Sequence, residues 1–280
     1  MTLLTAPVID LPFSMLDPEF VARLIRETAR SVILPRFGTL KHGDVHEKAP
    51  GDLVTIADLE AERLLGARLS AAIPGSAILG EEGVAADPSR LKLTGTCDNL
   101  WIIDPVDGTA NFARGHKDFA VIVAYVERGR TCAGWILDPV GDRLVWARAG
   151  EGAWSDGRRL RLAPAPAELV GAAYGRAVAG MRSAKAVEQA GMRTRNRGSS
   201  GIEYVDLALG ETQFALHSRA LPWDHAAGML ITTEAGGRAA FLDGAPYDPH
   251  IHDRPLLAAV DAACWTRVRD AVTAPGTTAP

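Results

Sequence analysis

The chain has 280 residues, 47% hydrophobic and 23% charged, enough apolar material for one large folded unit or two smaller ones. A net charge of -4 gives no basic surface for nucleic acid or an anionic membrane, and no apolar run approaches the roughly 18 residues of a membrane span. Cys97, Cys132 and Cys264 are odd in number and scattered, which argues against a disulfide framework or thiolate zinc site and for a reducing, cytoplasmic setting. Met1 to Asp10 lacks the basic start, apolar stretch and cleavage site of a signal peptide.

Asp17-Pro18-Glu19 predicts a helix start: a capping acid, a proline in the first turn and a carboxylate near the positive dipole end. Apolar pairs recurring every four residues from Phe20 to Ile33 mark one buried face, and Pro35 ends or kinks that helix. Leu40 to Gly51 reads as a polar loop. Thr55 with Asp58 forms a capping pair that opens a second helix through about Leu69. Strands are expected at Ala77–Leu79, Leu100–Ile103, Phe119–Val126, Thr131–Leu137 and Arg143–Ala147. Pro164 and Pro166 mark the seam between halves 1–163 and 164–280 of one domain. Beyond it come strands at Leu169–Tyr174, Gln213–His217 and Leu256–Val260, with helices near Ala177–Ala190, Gly201–Leu209, Trp223–Glu234 and the C-terminus, then a frayed tail from Thr273. This mixed order implies an α/β or α+β fold of layered sheets and helices.

Acidic residues gather where apolar runs end: at Gly80-Glu81-Glu82, at Asp104-Pro105-Val106-Asp107-Gly108-Thr109-Ala110-Asn111-Phe112, and at Trp223-Asp224. Carboxylates on rigid element ends, without Cys or paired His, suit a hard cation such as Mg²⁺. In a turn held by Pro105 and Gly108, the Asp104 and Asp107 carboxylates and the Val106 carbonyl can face one point. Asp-Pro-x-Asp-Gly by itself is equally an ordinary turn; its register with Thr109, Asn111 and the other acidic clusters favours a metal site.

These blocks, with Gly51-Asp52-Leu53-Val54-Thr55-Ile56-Ala57-Asp58 and Trp223-Asp224-His225-Ala226-Ala227-Gly228, resemble the signature blocks of the inositol monophosphatase family, in the family's order, from about Pro18 to Val260. The resemblance implies alternating helix and sheet layers, a homodimer, and Mg²⁺-dependent, lithium-sensitive hydrolysis of a small phosphate ester. Glu81, Asp104 and the Val106 carbonyl would ligate a first metal, and Asp104, Asp107 and Asp224 a second. Asp58 would orient Thr109 and help a weaker third. Thr109 with Glu81 would position and deprotonate the attacking water, and the backbone N–H groups of Gly108 and Thr109 would hold the phosphate. Gly198-Ser199-Ser200 matches the family's substrate-contacting segment and is equally a plain loop. Five carboxylates approach neutrality only with cations bound.

The family's inositol-binding members carry a glutamate seven residues before the Trp-Asp aspartate; that position here is His217. Imidazole grips a vicinal diol less well than carboxylate, so the expected preference is an ester with fewer ring hydroxyls, or one with a second anionic group received by Arg219 or the Arg193–Arg197 face. Alternating Arg193, Arg195 and Arg197 more usually mark a solvated edge. Glu82 is expected to support Glu81 from behind, and His225 to be packed or hydrogen-bonded. Phosphatases of 3′-phosphoadenosine 5′-phosphate, histidinol phosphate or fructose 1,6-bisphosphate would share the metal blocks. A catalytically idle binding protein would have lost a ligand, and every expected one is present.

Overall fold

The computed structural model describes residues 16–174 and 183–274. The first helix, α1 (Pro18–Thr28), starts as expected, with the Asp17 carboxylate accepting the Glu19 N–H at 2.9 Å. Val21, Ala22, Ile25 and Thr28 form its buried face. The chain continues through a wide helical turn at Ala29–Ile33 and a tight one at Leu34–Arg36. Pro35, which has no N–H to extend the ladder, lies inside that last turn, and the helical run ends at Arg36; the Arg36 guanidinium takes the Val32 carbonyl, at 2.7 Å.

The expected loop at Leu40 to Gly51 is largely a β-hairpin, β1 (Val45–Ala49) paired antiparallel with β2 (Asp52–Thr55). Both strands are short and mostly polar, so no alternation of apolar residues announces them. The capping box forms as predicted and opens α2 (Ile56–Ala72): the Thr55 and Asp58 side chains satisfy each other's orphan backbone donors.

Seven strands then build one sheet whose spatial order follows the chain: β3 (Ala77–Gly80), β4 (Asn99–Asp107), β5 (Ala120–Glu127), β6 (Arg130–Asp138), β7 (Arg143–Arg148), β8 (Gly152–Ser155) and β9 (Arg158–Leu160). Only β3 and β4 are parallel; short helices α3 (Glu81–Ala86) and α4 (Leu93–Thr96) make their crossover, and α5 (Thr109–Ala113) follows β4. The pair β8–β9 is too short to show periodicity. Alternate residues serve different cores. Trp101, Val123, Tyr125 and Trp135 pack toward α1 and α2, while Ile102, Ile122, Ala124 and Ile136 pack the other way. A sheet covered on both faces explains the nearly continuous apolar run of β5. Indole N–H groups of Trp135 and Trp146 pin α1 through the Pro18 carbonyl and Glu19.

After Pro164 and Pro166 a second sheet forms from β10 (Val170–Ala173), β11 (Arg193–Thr194), β12 (Phe214–His217), β13 (Arg238–Phe241) and β14 (Leu256–Ala259), in the order β11-β10-β12-β14-β13. The helix expected from Ala177 begins outside the described residues; its described part is α6 (Ser183–Gln189). With α9 (Ala262–Thr273) it covers the outer face of this sheet. Between the sheets lie α7 (Ser200–Ala208) and α8 (Pro222–Glu234). The layers therefore run helix, sheet, helix, sheet, helix.

Small residues make the middle layer possible. A Cβ on Gly134 of β6 would come within 2.6 Å of the Ala227 Cα, and one on Gly228 would fall 2.2 Å from the Tyr204 ring of α7. The Ala226-Ala227-Gly228 run in α8 is thus a packing requirement. Gly228→Val should lower stability by about 1–3 kcal/mol or more, because neither the helix nor the buried ring can yield. Thermal unfolding checks this: an unchanged Tm would mean that α7 and α8 are not packed so closely.

Candidate active site

The site forms where β4 ends. Residues three apart on a regular strand face opposite sides, yet Asp104 pairs with Ile122 and Asp107 with Ala120, so β4 carries one extra residue between two registers. This bulge turns both carboxylates to one side. Pro105 tolerates the break because it has no ladder N–H to lose, and the Val106 N–H turns back to Asp104 Oδ1 at 3.1 Å. Asp224 joins from the first turn of α8, where the helix dipole favours its charge. Carboxylate oxygens of Asp104, Asp107 and Asp224 lie within 4.8 Å of one another.

Asp107 is gripped by the start of α7. Its Oδ2 accepts from Ser199 Oγ at 2.5 Å and the Gly201 N–H at 2.7 Å, and Oδ1 accepts from Ser200 Oγ at 3.1 Å. Gly108 adopts φ +91°, and a Cβ there would crowd Asp118 and Ser199; glycine is required on both counts. Thr109 Oγ1 lies 3.0 Å from both Asp58 Oδ1 and the Val106 carbonyl. Asn111 donates to the carbonyls of Asp118 and Arg197, 2.7 and 2.8 Å away, and Phe112 packs on Phe37 and Phe119. Every polar residue of this block therefore has a stated partner.

Glu81 stands apart from the three aspartates. Lys48 of the β1–β2 hairpin places its ammonium 2.7 Å from Glu81, 2.9 Å from Glu82 and 3.5 Å from Asp52. Glu81 and Glu82 open a helix, so they do not point opposite ways as an extended pair would. Lys48 was invisible to sequence reasoning: it is a lone cation in a polar segment, and only the hairpin's fold brings it to the acids.

The electrostatics are those of crowded, buried like charges. Burial, then Glu81, Asp107 and Asp224, raises the Asp104 carboxyl well above its usual range. Burial followed by Asp107 and Glu81 does the same to Asp224. Burial also raises Asp107, against the pull of Ser199, Gly201 and Ser200. Asp58 is pushed to about 6 by burial, and Glu82 to about 7 by burial and then Glu81.

Other predicted residues occupy different settings. The Gly198 N–H donates to the Tyr174 hydroxyl at 2.6 Å. His217 ends β12 fully within the protein. Its ring stacks on Tyr174 and Tyr204 and lies 4.6 Å from His225. Burial lowers its pKa to about 4, so it is neutral near pH 7, with Nε2 3.6 Å from Glu203 Oε2. Glu203 is raised to about 8 by burial, although Tyr174 and the Arg197 N–H both bond to it. His225 is hydrogen-bonded as expected, its Nδ1 3.1 Å from the Tyr204 hydroxyl. Arg193 and Arg195 are exposed at the edge strand β11 and just beyond it, whereas Arg197 turns inward onto Asp206 at 2.9 Å. The Arg143–Asp206–Arg197 linkage was also missed, because its members are far apart in the chain.

The Inositol monophosphatase family profile matches residues 18–272. The chain belongs to this family. It is 31% identical over 230 residues to the Thermotoga maritima fructose-1,6-bisphosphatase/inositol-1-monophosphatase, covering 81% of this chain and 85% of that protein. It is 34% identical over 219 residues to the inositol-1-monophosphatase of Mesorhizobium japonicum, covering 74% and 79%. Among solved structures, the Thermotoga maritima IMPase superposes with a TM-score of 0.74 at 28% identity, over 91% of this chain and 97% of that one. The protein is accordingly a phosphoric monoester hydrolase acting on a small phosphorylated substrate, within a metal-dependent phosphatase family. Among the described residues no helix is long and apolar enough to cross a membrane.

Raised carboxyl pKa values mean that the folded, cation-free protein holds protons that the unfolded chain has released. Its stability should therefore fall as pH rises from about 4 through 6 to 7, the span between the ordinary carboxyl values and those of Asp58 and Glu82. A divalent cation bound among these carboxylates would replace those protons. The Tm increase on adding Mg²⁺ should consequently be larger at pH 8 than at pH 5; an increase independent of pH would show that these carboxylates do not receive the cation.

Proposed function

We propose that the protein hydrolyses a small phosphate monoester with Mg²⁺ at the cluster of Asp104, Asp107 and Asp224. The carrying observation is their convergence within 4.8 Å, Asp104 and Asp107 buried and Asp224 half-buried, an arrangement of like charges that suits cations in its midst. Oxygen donors from rigid element ends fit Mg²⁺. The Val106 carbonyl would complete the set with Glu81 once Lys48 gives way, and Asp58 stands beside it for a weaker third ion. Bound cations would supply charge neutralisation at the phosphoryl oxygens and a water of lowered pKa.

The chain's own groups account for the rest. Asp58 accepts from Thr109 Oγ1, leaving that oxygen to accept a hydrogen bond from the attacking water and hold it in line. The Gly108 and Thr109 amides are the proposed seat of the phosphate, at a turn that glycine alone can make. Ser199 and Ser200 serve chiefly to hold Asp107. Because the cluster takes Asp224 from one half of the chain and Asp104 from the other, we read 1–280 as one domain. A cytoplasmic homodimer remains part of this proposal.

Activity should vanish with EDTA, return with Mg²⁺, and fall with LiCl relative to KCl at equal ionic strength. Asp104→Asn should nearly abolish turnover and weaken metal binding. Thr109→Ala should lower kcat by roughly 10²–10⁴-fold while metal binding survives. Chelation without effect, or near wild-type kcat for Asp104→Asn, would refute the assignment.

The substrate preference also follows from the surroundings. His217 is sealed among aromatic rings, and the buried Glu203, pushed up to about 8 and so protonated near pH 7, gives its Oε1 to Tyr174 and the Arg197 N–H, so neither offers an ionised carboxylate to a diol. Arg197 is spent on Asp206. Exposed Arg219, in the loop five residues before Asp224, has no ion-pair partner among the described residues, and its charge opposes the rise in Asp224's pKa. A substrate with a second anionic group is the reading this supports. kcat/KM should rank a sugar bisphosphate or 3′-phosphoadenosine 5′-phosphate above inositol 1-phosphate, and Arg219→Ala should reduce that advantage by about tenfold. If inositol 1-phosphate ranks first in the wild type and His217→Glu leaves the order unchanged, the preference is wrong.

A further inference from the structure

Away from the acid cluster, the β5–β6 turn, the later turns of α8 and the loop after β13 line an open cleft of about 810 Å³, within the roughly 300–1,000 Å³ range of small-molecule sites. Thr131 and Tyr247 both line it. Their hydroxyl oxygens are buried with no hydrogen-bond partner, and no other hydroxyl among the described residues is in that position. Buried polar groups are nearly always paired, so two orphaned hydroxyls on residues that line one cleft point to an occupant that supplies polar atoms once either side chain turns toward it.

The rest of the lining indicates its chemistry. His250 is held by Asp248, 2.7 Å from its Nδ1. The imidazole lies against two bare glycines; a Cβ on Gly95 or Gly129 would come within 2.9 or 2.8 Å of it. Gly129 sits at φ +77° between Arg128 and Arg130 in the tight β5–β6 turn. Both arginines are exposed at the cleft and have no acidic partner among the described residues. Met229 and Leu230 supply an apolar floor.

We propose that this cleft binds a small amphiphilic anion: an anionic head group on the Arg128–Arg130 turn, a flat apolar body on Met229 and Leu230, and polar atoms, directly or through a trapped water, on Thr131 and Tyr247. It shares no lining residue with the acid cluster, although its Tyr247 lies close enough to Asp224 to feel that charge. Along α8, Met229 and Thr233 lie roughly 8–14 Å beyond Asp224 at the ordinary helical rise.

The test is a fluorescence titration of the full-length, Mg²⁺-loaded protein with 8-anilinonaphthalene-1-sulfonate, which joins a sulfonate to an aromatic body and contains no phosphate ester to hydrolyse. The expected result is saturable binding at one equivalent per chain. The double variant Arg128→Ala/Arg130→Ala should weaken it by about tenfold or more, while keeping wild-type phosphatase kcat/KM as evidence of an intact fold. Asp104→Asn should leave it unaltered. No saturable binding would mean that the cleft holds water only. Undiminished binding in the double variant, or its loss in Asp104→Asn, would likewise overturn the proposal.

Discussion

Three carboxylates held within 4.8 Å of one another inside a protein repel, and each also resists leaving water. The surrounding structure is arranged to make that tolerable. The β4 bulge fixes Asp104 and Asp107 on one side, and the first turn of α8 lends Asp224 the favourable end of a helix dipole. The start of α7 gives Asp107 two hydroxyl donors and one amide donor. Lys48 offsets part of the charge of the neighbouring Glu81 and Glu82, remaining charged despite its burial because both acids favour the ammonium.

The same contacts join the two sheets. Asn111 on the first half holds the Arg197 carbonyl of the second, and Arg197 with Arg143 encloses the fully buried Asp206. A single carboxylate between two guanidinium groups is well compensated, and only the loss of both cations would strand its charge in the interior. The catalytic geometry therefore rests on the seating of α7 between the sheets, and the small residues of β6 and α8 permit that seating.

Burial also separates residues that a motif comparison would treat alike. His217 and Arg219 are two apart, but one is packed among rings and neutral while the other is exposed beside Asp224. A strand end and the loop that follows it produce that difference. The β12–α8 connection thus decides which side chains are accessible on this side of Asp224.

The sequence alone determined the helix starts at Asp17 and Thr55, the central strands, the acidic blocks and the family they resemble, because caps, apolar runs and turn residues act over a few neighbours. It also named the three clustered aspartates, since each ends an apolar element. It could not reveal the β1–β2 hairpin, whose strands are short and polar, nor Lys48 on Glu81. It was equally silent on the grip of Ser199, Ser200 and Gly201 on Asp107, and on the arginine pair around Asp206. Those contacts join residues as much as 94 positions apart. They exist only because two sheets enclose one helical layer, and no local pattern encodes which side chains such a layer brings together.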